Sequence, residues 1–391
     1  MNFILFDSLT IRENLLPLTY FRPVSQIRCG IFTLKEKWET SLNTHFTELT
    51  ETYLQKKFPV VYQEDNVYIN AAVFPDDDLI NAINSLKPNE QLLSGSHVVA
   101  LRTGRLSWKE LQNFEGRRIE YVKPVEMLRH TYDIFSKNGW QIKKDFVLAT
   151  RNKISQQMSE TNIHIGSHPV FVAKGVSAEA VVFNTEDGPV YLGENVKILE
   201  GSLIRGPFAA LDGTVIKMGA KIYGGTTLGP NTKAGGEIKD TVFFGNANKG
   251  HDGYLGDSVI GEWCNLGAGT NNSNLKNNYS KVKLWQYPQR DYVNTGLQFC
   301  GLIMGDHSKS GIATMFNTGT VVGVSSNVFG AGYQPKFFPS FKWGGQSYTD
   351  YRFDKAIEVA EVMMQRRHKK FDAIEKEIFN KVYKLVKEKE I

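Results

Sequence analysis

Small and aliphatic residues recur at every sixth position from Leu192 onward, and this period constrains the fold more than any other feature. A six-residue period fits neither a 3.6-residue helix nor an alternating strand. It predicts a hexapeptide β-helix, in which each short strand forms one side of a triangular coil with the periodic residue pointing inward. The periodic positions are Leu192, Ile198, Ile204, Ala210, Ile216, Ile222, Leu228 and Ala234, and then Met304, Ser310, Phe316, Val322 and Val328.

The composition sets ordinary bounds on the protein class. The chain of 391 residues is long enough for two or three domains, and its formal charge of +5 suits small anionic substrates without indicating nucleic acid. Cys29, Cys264 and Cys300 have no regular spacing, which argues against a disulfide framework or a metal motif. No apolar run reaches membrane-spanning length, and the first residues lack the basic start of a signal peptide. We therefore expect a cytoplasmic protein with no nucleic-acid or membrane partner.

The chain divides into three predicted regions. Residues 1–150 alternate strand and helix patterns and predict an α/β domain. Residues 155–335 carry the coil, and residues 345–391 keep helical spacing and predict a C-terminal helix. The elements predicted in the first region are strands at Phe3–Phe6 and Val67–Ile69 and helices at Ile31–Trp38, Asp76–Leu86 and Pro124–Asn138.

The period slips between Ile238 and Ile260, and we interpret this slip as an insertion into the coil. Insertions into a rigid scaffold are retained for function more often than for stability. The segment contains Lys239, Lys249 and His251, and an asparagine- and lysine-rich stretch follows it.

The sequence GHDGYLGDSVIGEWCNLGAGTNNSN in this region resembles the acetyltransferase half of the GlmU family, the bifunctional enzymes that make UDP-N-acetylglucosamine. The matching positions are His251, Tyr254–Asp257, Ile260–Gly261, Asn265–Thr270 and Asn274, and the resemblance extends over 192–332. The chain is similar to a divergent, Bacteroidetes-type branch of this family that has a shortened N-terminal half. The resemblance implies a left-handed β-helix and a homotrimer.

Residue roles follow from this resemblance alone. It implies that His251 is the general base for the substrate amine and that Asn274 lies near the acetyl thioester. It also implies acetyl-CoA as cosubstrate, with the backbone of Ala268 facing CoA. A neutral histidine can accept the proton of an amine nucleophile. Lysine ammonium groups can bind a sugar phosphate as point charges. The implied substrate-binding residues are Lys239, Tyr254, Asn265 and Lys281.

Two departures bear on the substrate. The segment GPFAAL from Gly206 resembles the family's GPFARLRPG, but Ala210 and Asp212 stand where the family has arginines. A phosphate-binding guanidinium is therefore missing, which bears against glucosamine 1-phosphate itself as the substrate. Leu275 replaces a family tyrosine.

The N-terminal region resembles sugar-phosphate nucleotidyltransferases through LLPLTYFRPVSQIRCG. Arg22 of this segment is the candidate nucleotide- or phosphate-binding residue. The family's glycine-rich phosphate loop is replaced by DSLTIRE, Val24 replaces a lysine, and Asn70 stands where an acid for Mg²⁺ is expected. We therefore expect a degenerate nucleotidyltransferase-like α/β domain, with Mg²⁺ needed only if it is active.

Structural alternatives remain open for several of these residues. A solvated loop lysine is as good an interpretation of Lys239 and Lys249 as a ligand, and Asn265 and Asn274 are also consistent with an asparagine ladder. The alternative interpretation of Arg22 is an internal salt bridge within its domain. Two function classes follow: a CoA-dependent N-acetyltransferase acting on an amino-sugar phosphate or nucleotide sugar, or a non-catalytic trimeric scaffold that binds a sugar nucleotide.

Overall fold

The computed structural model describes residues 1–390, which form two compact units. The first unit comprises Met1–Ile27, Phe32–His130 and Ala373–Lys381. The second comprises Arg28–Ile31, Thr131–Asp372 and the residues from Val382 onward.

The first unit contains a six-stranded sheet with helices. The strand order is β2–β1–β3–β5–β4–β6. The first three strands run parallel to one another, whereas β5 runs antiparallel to β3 and β4. The elements are β1 Asn2–Phe6, α1 Leu9–Asn14, a short 3₁₀ turn at Val24–Gln26, α2 Leu34–Leu42, β2 Thr47–Leu49, β3 Asn66–Asn70, α3 Asp77–Asn84, β4 Glu90–Ser94, β5 His97–Thr103, α4 Trp108–Gln112 and β6 Arg117–Glu120.

Local sequence signals explain where these elements begin. Thr33 and Glu36 form a reciprocal capping box at the start of α2, so that two otherwise unpaired backbone N–H groups are satisfied. Asp76 caps α3, accepting from the Leu79 N–H at 2.9 Å. The predicted strands near Phe3 and Val67 and the predicted acidic helix start are confirmed.

The predicted helix over 124–138 is wrong in its first half. Helix α5 spans Thr131–Thr150. The chain before it is extended, because the Phe74 N–H donates to the Glu126 carbonyl and the Leu128 N–H donates to the Ala72 carbonyl. Pairing with a neighbouring segment therefore overrides the helical spacing there.

The second unit is a left-handed parallel β-helix, as predicted. Its short strands stack in register along the flat sides of the coil. The strands are β7 Ile163–Ile165, β8 Val170–Val172, β9 Ser177–Ala178, β10 Val182–Asn184, β11 Val190–Leu192, β12 Lys197–Ile198, β13 Leu203–Arg205, β14 Phe208–Ala210, β15 Val215–Ile216, β16 Lys221–Ile222, β17 Thr226–Leu228, β18 Lys233–Ala234, β19 Glu237–Phe243, β20 Asn248–Lys249, β21 Tyr254–Ile260, β22 Asn265–Leu266, β23 Asn271–Asn272, β24 Lys283–Gln286, β25 Asp291–Asn294, β26 Leu302–Met304, β27 Lys309–Ser310, β28 Met315–Phe316, β29 Thr320–Val322, β30 Asn327–Val328, β31 Phe337–Phe338, β32 Lys342–Gly344 and β33 Tyr348–Asp350.

The periodic residues form the core of this coil. Those predicted to point inward are buried, and most of them belong to one continuous apolar cluster. Small and branched residues four places later, such as Ser202 and Thr214, are also buried. The corners adopt left-handed backbone, for example at Gly213 with φ 68° and at Asn231 with φ 56°. The six-residue period therefore reports the inner column of the coil directly.

The slip in the period arises from short turns and not from an insertion, so that interpretation is wrong. A regular turn takes 18 residues, as from Ala210 to its register partner Leu228. The next turn, from Leu228 to Phe243, is three residues shorter, and the turn from Phe243 to Ile260 is one residue shorter. Strand β19 continues across a place where a regular turn has a corner, because its two ends pair with β16 and β17.

The insertion lies in the following turn. Ile260 pairs with Met304, and the intervening residues include a side excursion that carries the antiparallel hairpin β24–β25. A bridge between Leu275 and Phe299 closes the base of this excursion. The long excursion therefore emerges directly after the segment that resembles the GlmU family.

Two helices follow the coil. They are α6 Phe353–Gln365 and α7 Ala373–Lys389. Ile391, the last residue of the predicted C-terminal helix, lies outside the described residues. Across residues 1–390, no helix combines the length and the apolar character needed to cross a membrane.

Candidate functional site

A hydrogen-bonded polar cluster lies at the beginning of β21. Asn274 Nδ2 donates to the Tyr254 hydroxyl at 2.9 Å and to Asp257 Oδ2 at 2.5 Å. The backbone N–H of Tyr254 donates to Asn271 Oδ1 at 2.7 Å. One amide thus holds a tyrosine and a carboxylate from the neighbouring turn of the coil. The structure brings together two of the predicted site residues, Tyr254 and Asn274.

Burial gives this cluster unusual acid–base properties. It raises the pKa of Asp257 to about 6, the Asn274 hydrogen bond opposes that shift, and the nearby Asp240 adds to it. Burial also raises the pKa of Tyr254 to about 12, so its hydroxyl is protonated at neutral pH. The hydroxyl oxygen accepts from Asn274, and within residues 1–390 its proton has no protein acceptor. The cluster therefore offers one hydrogen-bond donor to a ligand.

Lys239 lies beside the cluster on β19. Its Nζ is 3.4 Å from Asp240 Oδ2 and 5.3 Å from the centre of the Phe299 ring, and its side chain is 39% exposed. A lysine that packs on an aromatic face keeps its charge close to the surface. Phe299 belongs to the base of the excursion, so the insertion contributes one wall beside this cation.

A groove of about 460 Å³ continues from Lys239 and Asp240 along the coil. Trp140 of α5 and Tyr223 line it, and both are partly exposed. Arg205 also lines it and is paired with Asp187 at 2.6 Å. Aromatic rings together with charged groups of both signs suit a polar ligand that also presents an apolar face.

His251 occupies an exposed corner between β20 and β21. Within residues 1–390 its imidazole makes no hydrogen bond or ion pair, so none joins it to Tyr254 or Asn274. Its backbone carbonyl accepts from Lys249 Nζ at 3.0 Å. The structure therefore leaves the ring accessible to a ligand, and the general-base role implied by the resemblance stays a prediction.

Lys249 is buried in the inner column of the coil. It pairs with Ala234, so it takes a position where most of the column is small or aliphatic. Its Nζ donates to the carbonyls of Gly235 and His251, both at 3.0 Å. Burial lowers the pKa of this ammonium to about 8. Lys249 is thus a buried lysine that fixes the corner carrying His251, and not a solvated loop lysine.

Asn265 lies on another face of the coil. It pairs with Asn248, whose Nδ2 donates to Asn265 Oδ1 at 2.7 Å. This is the side-chain ladder that was the alternative interpretation of Asn265. Asn274 makes no such ladder and belongs to the polar cluster. Within one chain, therefore, the structure separates Asn265 from Tyr254 and Asn274.

Within residues 1–390, no hydrogen bond joins Ala268 or Lys281 to the polar cluster. The Ala268 carbonyl accepts from the Ala313 N–H at 2.7 Å. Lys281 is exposed in the excursion, and its carbonyl accepts from Lys276 Nζ at 2.7 Å. The cofactor and substrate roles implied for these two residues stay predictions.

The two residues that replace the family's arginines have local structural roles. Ala210 is fully buried in the apolar inner column of the coil. Asp212 Oδ1 accepts from the Glu194 N–H at 2.8 Å and thereby stabilises the preceding corner.

The first unit fills the position of the family's phosphate loop with its own side chains. The segment DSLTIRE forms the start of α1, and Arg12 within it is buried and paired with Asp7 at 2.9 Å. The same guanidinium donates to the carbonyls of Thr19 and Arg22 and to the Tyr53 hydroxyl. Protein groups therefore occupy the place where nucleotide phosphates would be expected.

Arg22 and Asn70 also have internal hydrogen-bond partners. Arg22 is buried and donates to the Leu18 carbonyl at 3.2 Å. The Asn70 side chain donates to the Val98 carbonyl at 3.0 Å and accepts from the Ala72 N–H at 3.1 Å. An amide bound at both ends does not suit Mg²⁺, which prefers free carboxylate oxygens.

Sequence reasoning assigned no role to Asp257 or Asp240. Both have left-handed backbone, with φ 49° and 42°, which is uncommon for residues other than glycine. Asp257 was visible as the acid of the Tyr-Leu-Gly-Asp match. Asp240 had no comparable signal, because its place beside the cluster depends on the shortened turn.

Comparisons with known proteins found one matching family model and several similar proteins. Residues 3–154 match the family described as sugar nucleotidyl transferase. A bifunctional protein GlmU from Methanocaldococcus jannaschii is 37% identical over 100 residues, which is 25% of this chain and 24% of that protein. An uncharacterized acetyltransferase, YaiX, from Escherichia coli O6:K15:H31 is 27% identical over 147 residues, 37% of this chain and 63% of that protein.

Among solved structures, the polysialic-acid-specific acetyltransferase NeuO covers 53% of this chain and 96% of its own length. The sequence identity is 16% and the TM-score is 0.31. The chain spans about a quarter of the length of the GlmU proteins that it matches.

Proposed function

We propose that this chain, which belongs to the GlmU-like proteins, is a transferase whose coil acetylates an amino group of a sugar phosphate or nucleotide sugar. The donor would be acetyl-CoA. The observation that carries the proposal is the contact of Asn274 with Tyr254 and Asp257, since it organises polar groups inside the segment that resembles the family. The accessible imidazole of His251 supports it.

The reaction joins an amine to a thioester carbonyl. The amine nitrogen forms a bond to the acetyl carbon, and the carbon–sulfur bond breaks. His251 takes the proton that the amine loses, and the CoA thiolate leaves and is protonated. A neutral imidazole is suited to this step because most amines near neutral pH carry the proton that must be removed.

The remaining groups would bind and orient the acceptor. Lys239 supplies a positive charge for a phosphate, and the Tyr254 hydroxyl supplies a hydrogen-bond donor. Asp257 fixes the Asn274 amide and is therefore a positioning residue. The groove beside Lys239 would hold the rest of the acceptor, with Trp140 and Tyr223 packing against a sugar ring or a base.

We further propose that the active unit is a homotrimer. Within residues 1–390, no hydrogen bond joins Asn265, Ala268 or Lys281 to the polar cluster of the same chain. Neighbouring coils packed side by side would bring such residues to the acceptor and to CoA. Light scattering of the purified protein measures this directly, and a stable monomer at micromolar concentration would contradict the shared site.

The test of the acetyltransferase is release of free thiol from acetyl-CoA in the presence of an acceptor. The acceptor panel contains amino-sugar phosphates and UDP- and dTDP-linked amino sugars. We expect thiol release that depends on both acceptor and enzyme, with the N-acetylated product confirmed by mass spectrometry. Acetyl-CoA hydrolysis without an acetylated product would count against the proposal.

A second candidate, favoured by the buried Arg12–Asp7 pair, is that the first unit is non-catalytic. Protein side chains take the space and hydrogen bonds that a nucleotide phosphate would need. No Mg²⁺-dependent step is assigned, because Asn70 does not offer a suitable oxygen. A chain inactive in both halves would then be a sugar-nucleotide-binding scaffold, and absence of turnover across the panel would favour it.

A further inference from the structure

A second pocket, of about 280 Å³, lies between the outer surface of the coil and the end of α6. Lys233 and Asn265 line it from the coil, and Arg366 and Arg367 line it from the residues directly after α6. The family resemblance assigns no role to any of these three cations. The pocket therefore needs its own explanation.

The cations of this pocket have no counter-charge within residues 1–390. Lys233, Arg366 and Arg367 form no ion pair there, and neither does Lys217, whose charge acts on Lys233 from outside the pocket. Exposed lysines such as Lys370 are also unpaired within the described chain, but these three cations line one pocket, so their charges add at one place.

The cations also act on one another. Burial lowers the pKa of Lys233, and the charges of Arg367, Lys217 and Arg366 lower it further. Burial likewise lowers the pKa of Arg367, with Arg366 adding to the effect. Like charges held this close destabilise the fold unless an anion neutralises them.

Neutral donors complete the pocket. The Asn248–Asn265 hydrogen bond uses the oxygen of Asn265, and its Nδ2 has no acceptor among residues 1–390. Asn246 accepts from Asn231 at 3.4 Å, and its own Nδ2 is likewise without an acceptor in this part of the chain. Guanidinium forks, an ammonium and amide N–H groups are the donor set that binds phosphate oxygens.

We propose that this pocket binds the phosphate groups of a small anionic ligand through Lys233, Arg366 and Arg367. Two sources share this chemistry, a nucleotide sugar and CoA. The pocket includes Asn265, which the proposed homotrimer would bring to an acceptor or to CoA, but not Tyr254 or Asn274, so pyrophosphate binding is measured independently of acetyl transfer. Failure of one proposal leaves the other open to its own measurement.

The test is calorimetric titration of the full-length protein with inorganic pyrophosphate at low ionic strength. We expect saturable binding that weakens as salt is added. Arg366→Gln and Lys233→Gln should each weaken it about tenfold or more, because each removes a charge-assisted contact. The matched control is Lys370→Gln, which removes one nearby exposed positive charge outside the pocket. Absence of pyrophosphate binding, or equal loss in the control, would overturn the proposal.

Displacement of bound pyrophosphate distinguishes the sources. CoA and UDP-N-acetylglucosamine are added separately, and the one that displaces pyrophosphate in the parent but not in Arg366→Gln is the natural type of ligand. Displacement by neither compound identifies a site for free phosphate or pyrophosphate.

Thermal unfolding supplies a second measurement. In phosphate-free buffer Arg366→Gln should melt no lower than the parent, and slightly higher if repulsion dominates, because one unpaired charge has been removed. Pyrophosphate should raise the melting temperature of the parent and of Lys370→Gln, but much less that of Arg366→Gln. Equal stabilisation of all three proteins would contradict the site.

Discussion

The first unit and the coil both contain a segment that resembles a known family, and they use its polar groups in opposite ways. In the first unit the Arg12 guanidinium is buried and donates to Asp7, Thr19, Arg22 and Tyr53. In the coil, Lys239 stays partly exposed, and the Tyr254 hydroxyl keeps a proton without a protein acceptor in the described chain. Polar groups that are hydrogen-bonded within the protein stabilise the fold, whereas polar groups without a protein partner are available to bind a ligand.

The largest expected effect would test the catalytic side of this comparison. His251→Ala should lower turnover about 10²–10⁴-fold, the range for removal of a positioned acid–base group. It should leave the melting temperature nearly unchanged, because the side chain is exposed at a corner. Thiol release with the active acceptor is the readout, and His168→Ala, another exposed histidine of the coil, is the control. Full activity in His251→Ala would remove the chemical reason for treating the coil as the catalytic region.

The structural role of the polar groups in the first unit is tested by breaking the buried Arg12–Asp7 pair. Arg12→Met should lower the free energy of unfolding by about 3–5 kcal/mol, because Asp7 would remain buried without its partner. Arg102→Met is the matched control in the same unit, since its partner Asp65 is 40% exposed and such pairs contribute about 0–1 kcal/mol. Urea unfolding measures both variants. Equal losses would show that burial of the Arg12 pair does not distinguish it from a surface pair.

Lys249 shows that the coil also contains a polar group that is buried and hydrogen-bonded within the protein. Its pKa is about 8 in the fold and 10.5 as the ordinary value, so the unfolded chain binds more protons between these pH values. Stability from this group should therefore rise with pH across that window, by on the order of 3 kcal/mol. Lys249→Met should lose this part of the pH dependence. A slope identical to that of the parent would indicate that the ammonium is solvated.

For Asp257 we expect stability to change with pH in the opposite direction, and this is the smallest of the expected effects. Burial raises its pKa from 3.8 to about 6, so the folded protein binds more protons between these values. Stability should fall as pH rises through that window, by up to about 3 kcal/mol. Asp257→Asn keeps an oxygen that can accept from Asn274, and the stability of this variant should not change with pH in that window. Its turnover should be lower if the carboxylate positions Asn274. An unchanged slope would mean that the carboxylate is better solvated than its burial indicates.

Much of the fold could be predicted because the period of the coil is a local property of the sequence. Each inner residue lies above its counterpart in the preceding turn. A regular repeat therefore identifies the residues of the inner column from the sequence alone. The helix over 124–138 was mispredicted because pairing of Glu126 and Leu128 with a distant segment decided that stretch.

The site was only partly predictable. Tyr254 and Asn274 were found through the resemblance, and the structure joins them. Asp257 and Asp240 needed the register of the shortened turns, and the unpaired cations at Arg366 and Arg367 needed the position of α6 against the coil.

The sequence by itself determined the coil, its inner column and the segment that resembles the GlmU family, because these depend on residue type at fixed spacing. Only the tertiary structure decided that the slip is two short turns, that Lys249 is buried and that Asn265 and Asn274 lie on different faces. The reason is that burial and proximity between distant residues depend on how turns stack, and a change of one to three residues in a turn moves every side chain that follows it.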